Sequence, residues 1–574
     1  MSMRHKSSTA LANPLMRRCL AKVKGFLREE DGVLANQALL TLLAMLSIGG
    51  IGIDLMRLER DRTHLQYTLD RAVLAAADLD QQKTPDAVVL DYLSKSGLAE
   101  HYTTPWWESG LGFKKVQATI NSEFPAHWLN FAVGLSGAPG LAESAETAPS
   151  EIDIPLYATS RAEESIDGVE ISLVLDVSGS MTRNSRLTNL KVAAKDFVDT
   201  MVANTTDGKM SMSIVPYATQ VSIPQELYDQ YNISTPGSTI YSRCVNFSGS
   251  DFQSTSLSLT SELEGTMHFT PWDSRTRDNR TYYDPSRLIS TPVCEDDPRR
   301  EILPLQKDAT LLKDFIDDLW GGGNTSIDIG MKWGTTLLDP SARPAVNALS
   351  VSGDVPNDFS ARPSAYTDTD TVKVIVLMTD GQNTSQYYVE SDHREGDSNV
   401  WFTTTDEGTE VYSTLNPSSG QYYWHLPYGA RWEDHPFGTG TEWYRNCYGC
   451  SWKQESGSAA RLAYSDLFAY TSLKYLYYSL YGDWMSSAKS TWYYGVYDYY
   501  SNSTKNARTR SICQAAKDEG IIVYTIGFEA PSDGVAVLQD CASSDSHYFD
   551  VQGLEISDAF ASIATSIRQL RLTQ

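Results

Sequence analysis

The chain has 574 residues, long enough for two or more packed domains with a sizeable core. Its formal net charge of −25 argues against nucleic-acid binding, which calls for a basic footprint. No HExxH, no P-loop and no nucleophile–base set is present, so neither a metal-dependent hydrolase nor any other enzyme is expected.

Residues 1–31 run against the overall charge. They carry Arg4, Lys6, Arg17, Arg18, Lys22, Lys24 and Arg28 against Glu29, Glu30 and Asp31. Val33 to Ile53 comes next, an apolar stretch interrupted only by Asn36, Gln37, Thr41 and Ser47. About 20 apolar residues suffice to cross a bilayer, so residues 32–56 are expected to form one transmembrane helix. The Arg/Lys excess on its amino side places the tail in the cytoplasm and the remainder outside. A cleaved secretory signal is the alternative. The apolar run exceeds an h-region, however, no Ala-x-Ala site comes after it, and the chain continues as helix through Asp54-Leu55-Met56-Arg57, which favours a retained anchor.

Leu55, Leu58, Leu65, Leu69, Ala72, Val73 and Ala76 recur near a 3.6-residue period, extending one long helix to about Asp80. Strand-like pieces appear at Lys115–Ile120 and Ile152–Ala158, with a loop at Ser136-Gly137-Ala138-Pro139-Gly140 between them. Residues 57–167 therefore read as a small α+β module on the helix, or else as a plain stalk. The helix, apolar in its first half and amphipathic in its second, resembles that of pilin-type subunits, which makes the module pilin-like. The runs Ala38-Leu39-Leu40-Thr41-Leu42-Leu43-Ala44, Gly52-Ile53-Asp54-Leu55-Met56-Arg57 and Leu65 through Ala77 resemble the amino-terminal module of TadG-like proteins of the Flp (tight adherence) pilus assembly systems. That resemblance implies a carboxy-terminal von Willebrand factor A (vWA) domain and pilus or Tad machinery components as partners. Related pseudopilins are processed after a Gly with Glu five residues on. Here Gly32 is followed at that distance by Gln37, and the anchor is expected to stay intact.

From residue 168 to 574 strands and helices alternate. Strands are expected at Ile171–Leu175, Met210–Val215, Val372–Thr379, Ile521–Gly527 and, at an edge, His547–Val551. Helices are expected at Leu187–Val202, Ala309–Trp320, Ser326–Leu338, Ala507–Asp518, Val535–Ala542 and Ile556–Leu570. This alternation predicts an α/β fold, a doubly wound, mostly parallel Rossmann-like sheet with helices on both faces. Ligands of such sheets bind at the carboxyl ends of strands.

Three segments carry chemistry to that end. Ile171–Leu175 delivers Asp176-Val177-Ser178-Gly179-Ser180, Gly321-Gly322-Gly323-Asn324 precedes Thr325, and Val374–Thr379 ends in Asp380-Gly381. One reading is an Asx-type turn closing a strand, since Asp, Ser and Gly dominate such turns. The other is a cation site, because two carboxylates and three hydroxyls are the oxygen ligands a hard divalent ion prefers. The set resembles the metal-ion-dependent adhesion site of vWA domains, whose Asp-x-Ser-x-Ser, Thr and Asp elements appear here in order. The resemblance implies that Ser178, Ser180 and Thr325 touch the metal through hydroxyls, while Asp176 and Asp380 act directly or through water. Mg²⁺ is expected, with Mn²⁺ or Ca²⁺ possible, and a protein partner would present an acidic residue to it. A vWA fold whose site stays empty is the third reading.

Two insertions, 222–304 and 384–505, interrupt this framework. The second holds nineteen of the 32 tyrosines and seven of the 13 tryptophans. Aromatics in this density suit either a recognition surface for a partner or glycan or a self-packed core. Leu462, Leu467, Tyr470, Leu473, Tyr477 and Leu480 fall near helical spacing and point to the core for part of it. His393, His425 and His435 have no i,i+4 pairing and read as solvated or hydrogen-bonded. Six cysteines lie beyond the membrane segment, an even number suited to an oxidising compartment. Cys513 with Cys541 and Cys244 with Cys294 are the expected pairs. Cys447-Tyr448-Gly449-Cys450 has the spacing of a redox motif or half a zinc site, but without a second CxxC a local disulfide is expected.

Together these features predict a single-pass protein of the bacterial inner membrane, its amino terminus cytoplasmic and its carboxy-terminal domain periplasmic or extracellular. It would be a metal-dependent, adhesion-type component of a Flp/Tad pilus assembly system. The alternative is a surface adhesin that binds host or glycan ligands through the aromatic-rich insertion.

Overall fold

The computed structural model describes residues 33–78, 81, 83–110, 113–136, 153–165, 168–272, 288–295, 297–368, 370–426, 428–445 and 447–570. The expected basic tail 1–31, the loop residues 137–140 and the closing Arg571-Leu572-Thr573 lie outside them. The chain divides into two compact units, one ending at Ser165 and one beginning at Ile166.

The first unit is organised on helix α1 (Val33–Ala77), 45 residues long. Its first half is apolar and turned outward, with Leu39, Leu40, Met45 and Ile48 exposed, and it is long and apolar enough to cross a membrane. Its second half buries Leu65, Leu69, Val73 and Ala76 in a core shared with α2 (Pro85–Lys95) and an antiparallel three-stranded sheet. That sheet runs in the order β1 (Trp106–Gly110), β2 (Phe113–Pro125), β3 (Asp153–Ser165). Alternate residues Val116, Ala118 and Ile120 of β2 point inward, the period of two that a one-sided sheet imposes. Asp54 closes the unit at the end of the apolar half of α1. Its carboxylate accepts from the Trp128 and Leu129 amides at 2.7 and 3.0 Å, capping α3 (His127–Ser136). Ser136, expected in a loop, is the last residue of that helix.

The second unit is a mixed α/β structure. Its main sheet contains β4 (Gly168–Asp176), β5 (Met210–Tyr217), β6 (Leu303–Gln306), β7 (Thr371–Thr379), β8 (Ile522–Phe528) and β9 (Tyr548–Val551), in the spatial order β9-β8-β7-β4-β5-β6. All neighbours are parallel except the edge pair β5/β6. β4 is buried at all nine positions and β7 at all but its first, which is why both read as unbroken apolar runs.

The two faces of the sheet feed two cores. Val174, Val215, Ile375, Leu377 and Val523 pack with residues of α6 (Ile327–Thr336), α7 (Arg343–Ser352), α8 (Asn502–Asp518) and α9 (Ser532–Cys541). Ile171, Leu173, Leu175, Val374 and Val376 pack with α4 (Arg186–Ala203), α5 (Ala309–Asp318) and α10 (Glu555–Leu570). The chain leaves β4 toward β5 on one side and returns beside β4 with β7 on the other. The strand order therefore reverses between the carboxyl ends of β4 and β7, where such sheets open a crevice.

The insertions carry small sheets of their own. In the first, three short strands form one sheet, and Cys244, directly before one of them, is bonded to Cys294. The second enters and leaves through a two-stranded ribbon, Gln386–Val389 against Tyr497–Tyr500, and builds a five-stranded antiparallel sheet. Tyr412, Leu467, Leu473, Leu480, Tyr481 and Trp492 join one buried cluster, so much of the aromatic content is core. The expected single helical face is split at Thr471, and Tyr470 and Tyr477 are only half-buried. The other two disulfides, Cys447–Cys450 and Cys513–Cys541, are those expected.

Candidate functional site

β4 ends at Asp176, which is fully buried. The chain then turns sharply, and the Ser178 amide donates to Asp176 Oδ1 at 2.7 Å. A single 3₁₀ turn, Gly179–Thr182, brings the Ser180 hydroxyl within 3.0 Å of the Ser178 hydroxyl. From the next strand Asp380 meets this turn, and Ser180 Oγ donates to its Oδ1 at 2.7 Å. Asp176, Ser178, Ser180 and Asp380 thus form one chain of polar contacts across the ends of β4 and β7.

Thr325 reaches the same place on a third segment. A methyl group built on Gly381 would sit 3.7 Å from Thr325 Oγ1 and 3.9 Å from Ser180 Oγ. Its loop is held by backbone contacts: Gly179 N–H donates to Gly323 O at 3.0 Å and Gly322 N–H to Val177 O at 2.9 Å. Gly323 has a φ of +82°, and a side chain there would also meet Thr219 Oγ1 at 2.7 Å, so the position requires glycine. Behind the loop the buried Arg300 guanidinium lies 4.3 Å above the Trp320 ring and donates to Gly322 O at 3.0 Å.

Four further residues, which sequence reasoning missed, complete the site. Thr379 Oγ1 donates to Asp176 Oδ2 at 2.6 Å and accepts the Gly381 amide at 3.1 Å. Arg186, the first residue of α4, donates through Nη1 to Asp380 Oδ2 at 2.6 Å and through Nε to Glu529 Oε2 at 2.9 Å. Lys505, fully buried on α8, donates to Thr325 O, Ser326 Oγ and Thr384 O at 2.8, 2.5 and 2.7 Å. Thr379 directly precedes Asp380 on a buried strand, the one local signal available. Arg186, Glu529 and Lys505 lie in unrelated stretches of sequence and leave none.

Burial, and after it the Asp380 carboxylate, push Asp176 up to about 7. Burial draws Lys505 down to about 8 against the pull of Asp328, whose carboxylate lies 3.8 Å away. The donor set is all oxygen, two carboxylates and three hydroxyls, and this chemistry fits a hard divalent cation rather than a soft one. Among the described residues no group of three or more His, Cys, Asp or Glu is placed to hold a metal, and this set has two, Asp176 and Asp380.

Residues 38–79 match the family model described as putative Flp pilus-assembly TadE/G-like. This TadE/G-like module coincides with most of the amino-terminal apolar helix α1. No curated protein matches the chain. Among solved structures, the chain is similar to the vWF domain of the type V pili tip protein Mfa5 from Porphyromonas gingivalis. That match has 15% identity and a TM-score of 0.29, and covers 70% of this chain and 96% of that one. The adhesive tip pilin GBS104 from Group B Streptococcus agalactiae matches at 12% identity and a TM-score of 0.27, covering 70% of this chain and 100% of that one. The pilus adhesin SpaC from Lactobacillus rhamnosus GG matches at 11% identity and a TM-score of 0.28, covering 81% and 33% respectively. Similarity at this level carries no argument about this chain.

Proposed function

We propose that this chain is a membrane-anchored, adhesion-type component of a Flp/Tad pilus system, whose larger unit is a vWA domain with a doubly wound sheet. It holds a divalent cation, Mg²⁺ by preference, at Asp176, Ser178, Ser180, Thr325 and Asp380, and through it grips an acidic residue of a pilus or Tad partner. The organisation is then a basic cytoplasmic tail (1–31), a helix in the inner membrane (32–56), a pilin-like module (57–167) and the vWA domain (168–574). The carboxy-terminal part faces the periplasm or the exterior.

The observation that carries this reading is the gathering of five oxygen-bearing side chains from three distant segments at the point where the strand order reverses. The TadE/G-like match supports the pilus context. When bound, the cation supplies a positive centre for an incoming carboxylate. Ser178, Ser180 and Thr325 bring lone pairs without charge, leaving Asp176 and Asp380 as the only anions of the set. Five side chains leave at least one of the six positions around Mg²⁺ open, and a carboxylate oxygen of the partner would fill it. Asp176, held from both sides by the Ser178 amide and the Thr379 hydroxyl, arrives already oriented.

The test is calorimetric titration of the full chain in detergent with Mg²⁺ and Mn²⁺, wild type against Asp176→Ala. Binding by the wild type that the variant loses supports the reading. A folded Asp176→Ala protein that retains cation-dependent partner capture overturns it.

One observation favours the second reading, a host- or glycan-binding adhesin. Within the aromatic insertion Trp443, Tyr448 and Trp452 are exposed at 57, 87 and 56%, around the Cys447–Cys450 disulfide. Cell or glycan binding lost on Trp443→Ala/Trp452→Ala and indifferent to chelator would support it.

A further inference from the structure

We propose that Arg186 is a tethered counter-cation of the site, which competes with the divalent ion for Asp380 and is retained by Glu529 when it yields. This inference rests on the proposed metal site and adds to it a residue that sets the affinity.

The guanidinium occupies the oxygen a cation needs. Asp380 is buried, its Oδ1 engaged by the Ser180 hydroxyl and its Oδ2 by Arg186 Nη1 at 2.6 Å. A charge-assisted contact of that length to a buried carboxylate is strong and directional. A divalent ion drawing on the same carboxylate must weaken it.

The chain holds Arg186 in place against local preference. Arg186 is the first residue of α4, where the positive end of the helix dipole disfavours a cation. The two residues before it, Asn184 and Ser185, both have left-handed backbones, with φ of 52° and 59°. Glu529, at the far side of the guanidinium, has φ of 55°. Among the described residues five non-glycine positions have positive φ, and three of them flank this one bridge. Strain concentrated in this way persists where the surroundings over-determine it and is a mark of function.

Glu529 is itself anchored. Its amide donates to Val551 O at 2.9 Å, and its Oε1 receives the Gly553 amide at 3.4 Å. The arginine therefore has two anions, but only one, Asp380, belongs to the proposed metal-binding set. Giving up Asp380 leaves the ion pair with Glu529 intact, so the side chain can yield without being left unpaired. The two ends of the guanidinium then have opposite effects. Removing the arginine removes a competitor, whereas removing Glu529 takes away its resting place and makes it hold Asp380 more tenaciously.

The experiment is Mg²⁺ titration calorimetry on the full chain in detergent for wild type, Arg186→Gln and Glu529→Gln, with thermal unfolding of each in chelator and in saturating Mg²⁺. The expected result is tighter Mg²⁺ binding by Arg186→Gln, on the order of tenfold, and binding weakened a fewfold in Glu529→Gln. Arg186→Gln should also unfold at lower temperature in chelator, with the deficit shrinking in Mg²⁺. If wild type and Arg186→Gln bind Mg²⁺ equally and Asp176→Ala binds none, the arginine is a structural ion pair: this inference falls and the metal site stands. If neither wild type nor Arg186→Gln binds, both fall.

Discussion

Thr379 Oγ1 donates a 2.6 Å hydrogen bond to Asp176 Oδ2, so the last residue of β7 fixes the carboxylate that ends the neighbouring β4. The two strands are in register, with Met378 opposite Leu175. The bond is the lateral tie that keeps the two halves of the candidate site at one height.

Replacing Thr379 by Val keeps the shape and removes the donor. Asp176 is buried and loses the hydrogen bond to its Oδ2, and the Gly381 amide loses its acceptor, at a cost of about 1–3 kcal/mol. Thr379→Val is expected to lower the unfolding free energy by that amount and to weaken Mg²⁺ binding severalfold, as read by denaturant unfolding and calorimetry. Unchanged stability would mean that Asp176 is held well enough from the Ser178 side alone.

Lys505 plays the corresponding part beneath Thr325. Its buried ammonium joins the backbone of Thr325 to that of Thr384 and faces Asp328, neither of whose carboxylate oxygens has a hydrogen-bond partner. Lys505→Met fills the space but strips Asp328 of its nearest cation, at a cost of roughly 3 kcal/mol. Stability should fall accordingly and the Thr325 loop should exchange its amide hydrogens faster. A second change, Asp328→Asn, should restore part of the loss, because it removes the uncompensated charge.

How much of this molecule the sequence reveals depends on how each element is buried. β4 and β7 are covered on both faces, so their side chains form apolar runs and the carboxylates that break them, Asp176 and Asp380, stand out. Edge strand β6 (Leu303–Gln306) has four residues, one of them Pro304, too few for any period to show. Helix α7 carries a proline in its first turn and a modest apolar face, and its pattern is equally faint. Contacts such as Arg186 with Glu529, 343 residues apart, depend on tertiary placement alone. In the second insertion Tyr422, Tyr423 and Trp424 are conspicuous as residues. Their pairing with Ser413, Thr414 and Leu415 in a sheet is not, because aromatic strands of four residues also fit helix or loop.

His268 gives the first insertion a pH dependence. Its ring is buried, with Nδ1 2.7 Å from Ser242 Oγ and Nε2 without a partner, and burial lowers it to about 4. The folded state thus binds this proton less readily than the unfolded chain does. The stability His268 contributes is present above pH 6.5 and is lost as pH falls toward 4, by up to about 3 kcal/mol. Denaturant unfolding between pH 7 and 4 should show this loss, and His268→Gln should flatten it. A slope unchanged in the variant would place the acid sensitivity elsewhere.

The three disulfides should differ in value according to the chain they close and what surrounds them. The sequence separations are 50 for Cys244–Cys294, 28 for Cys513–Cys541 and 3 for Cys447–Cys450. Loop-closure entropy assigns them about 4, about 3.6 and about 2 kcal/mol in turn. Burial widens the gap. Cys244, Cys294, Cys513 and Cys541 are fully buried, so converting either pair to serine also buries hydroxyls, whereas Cys447 and Cys450 are only half-buried. Paired serine variants, compared by denaturant unfolding, should therefore rank Cys244/Cys294 as most damaging, Cys513/Cys541 close behind and Cys447/Cys450 mildest. Cys513 and Cys541 join α8 to α9 beside β8, so their loss should also weaken Mg²⁺ binding through Lys505, whereas loss of Cys447–Cys450 should leave it unchanged. An inverted order would show that strain in the folded state, and not the freedom of the unfolded chain, sets what each bridge is worth.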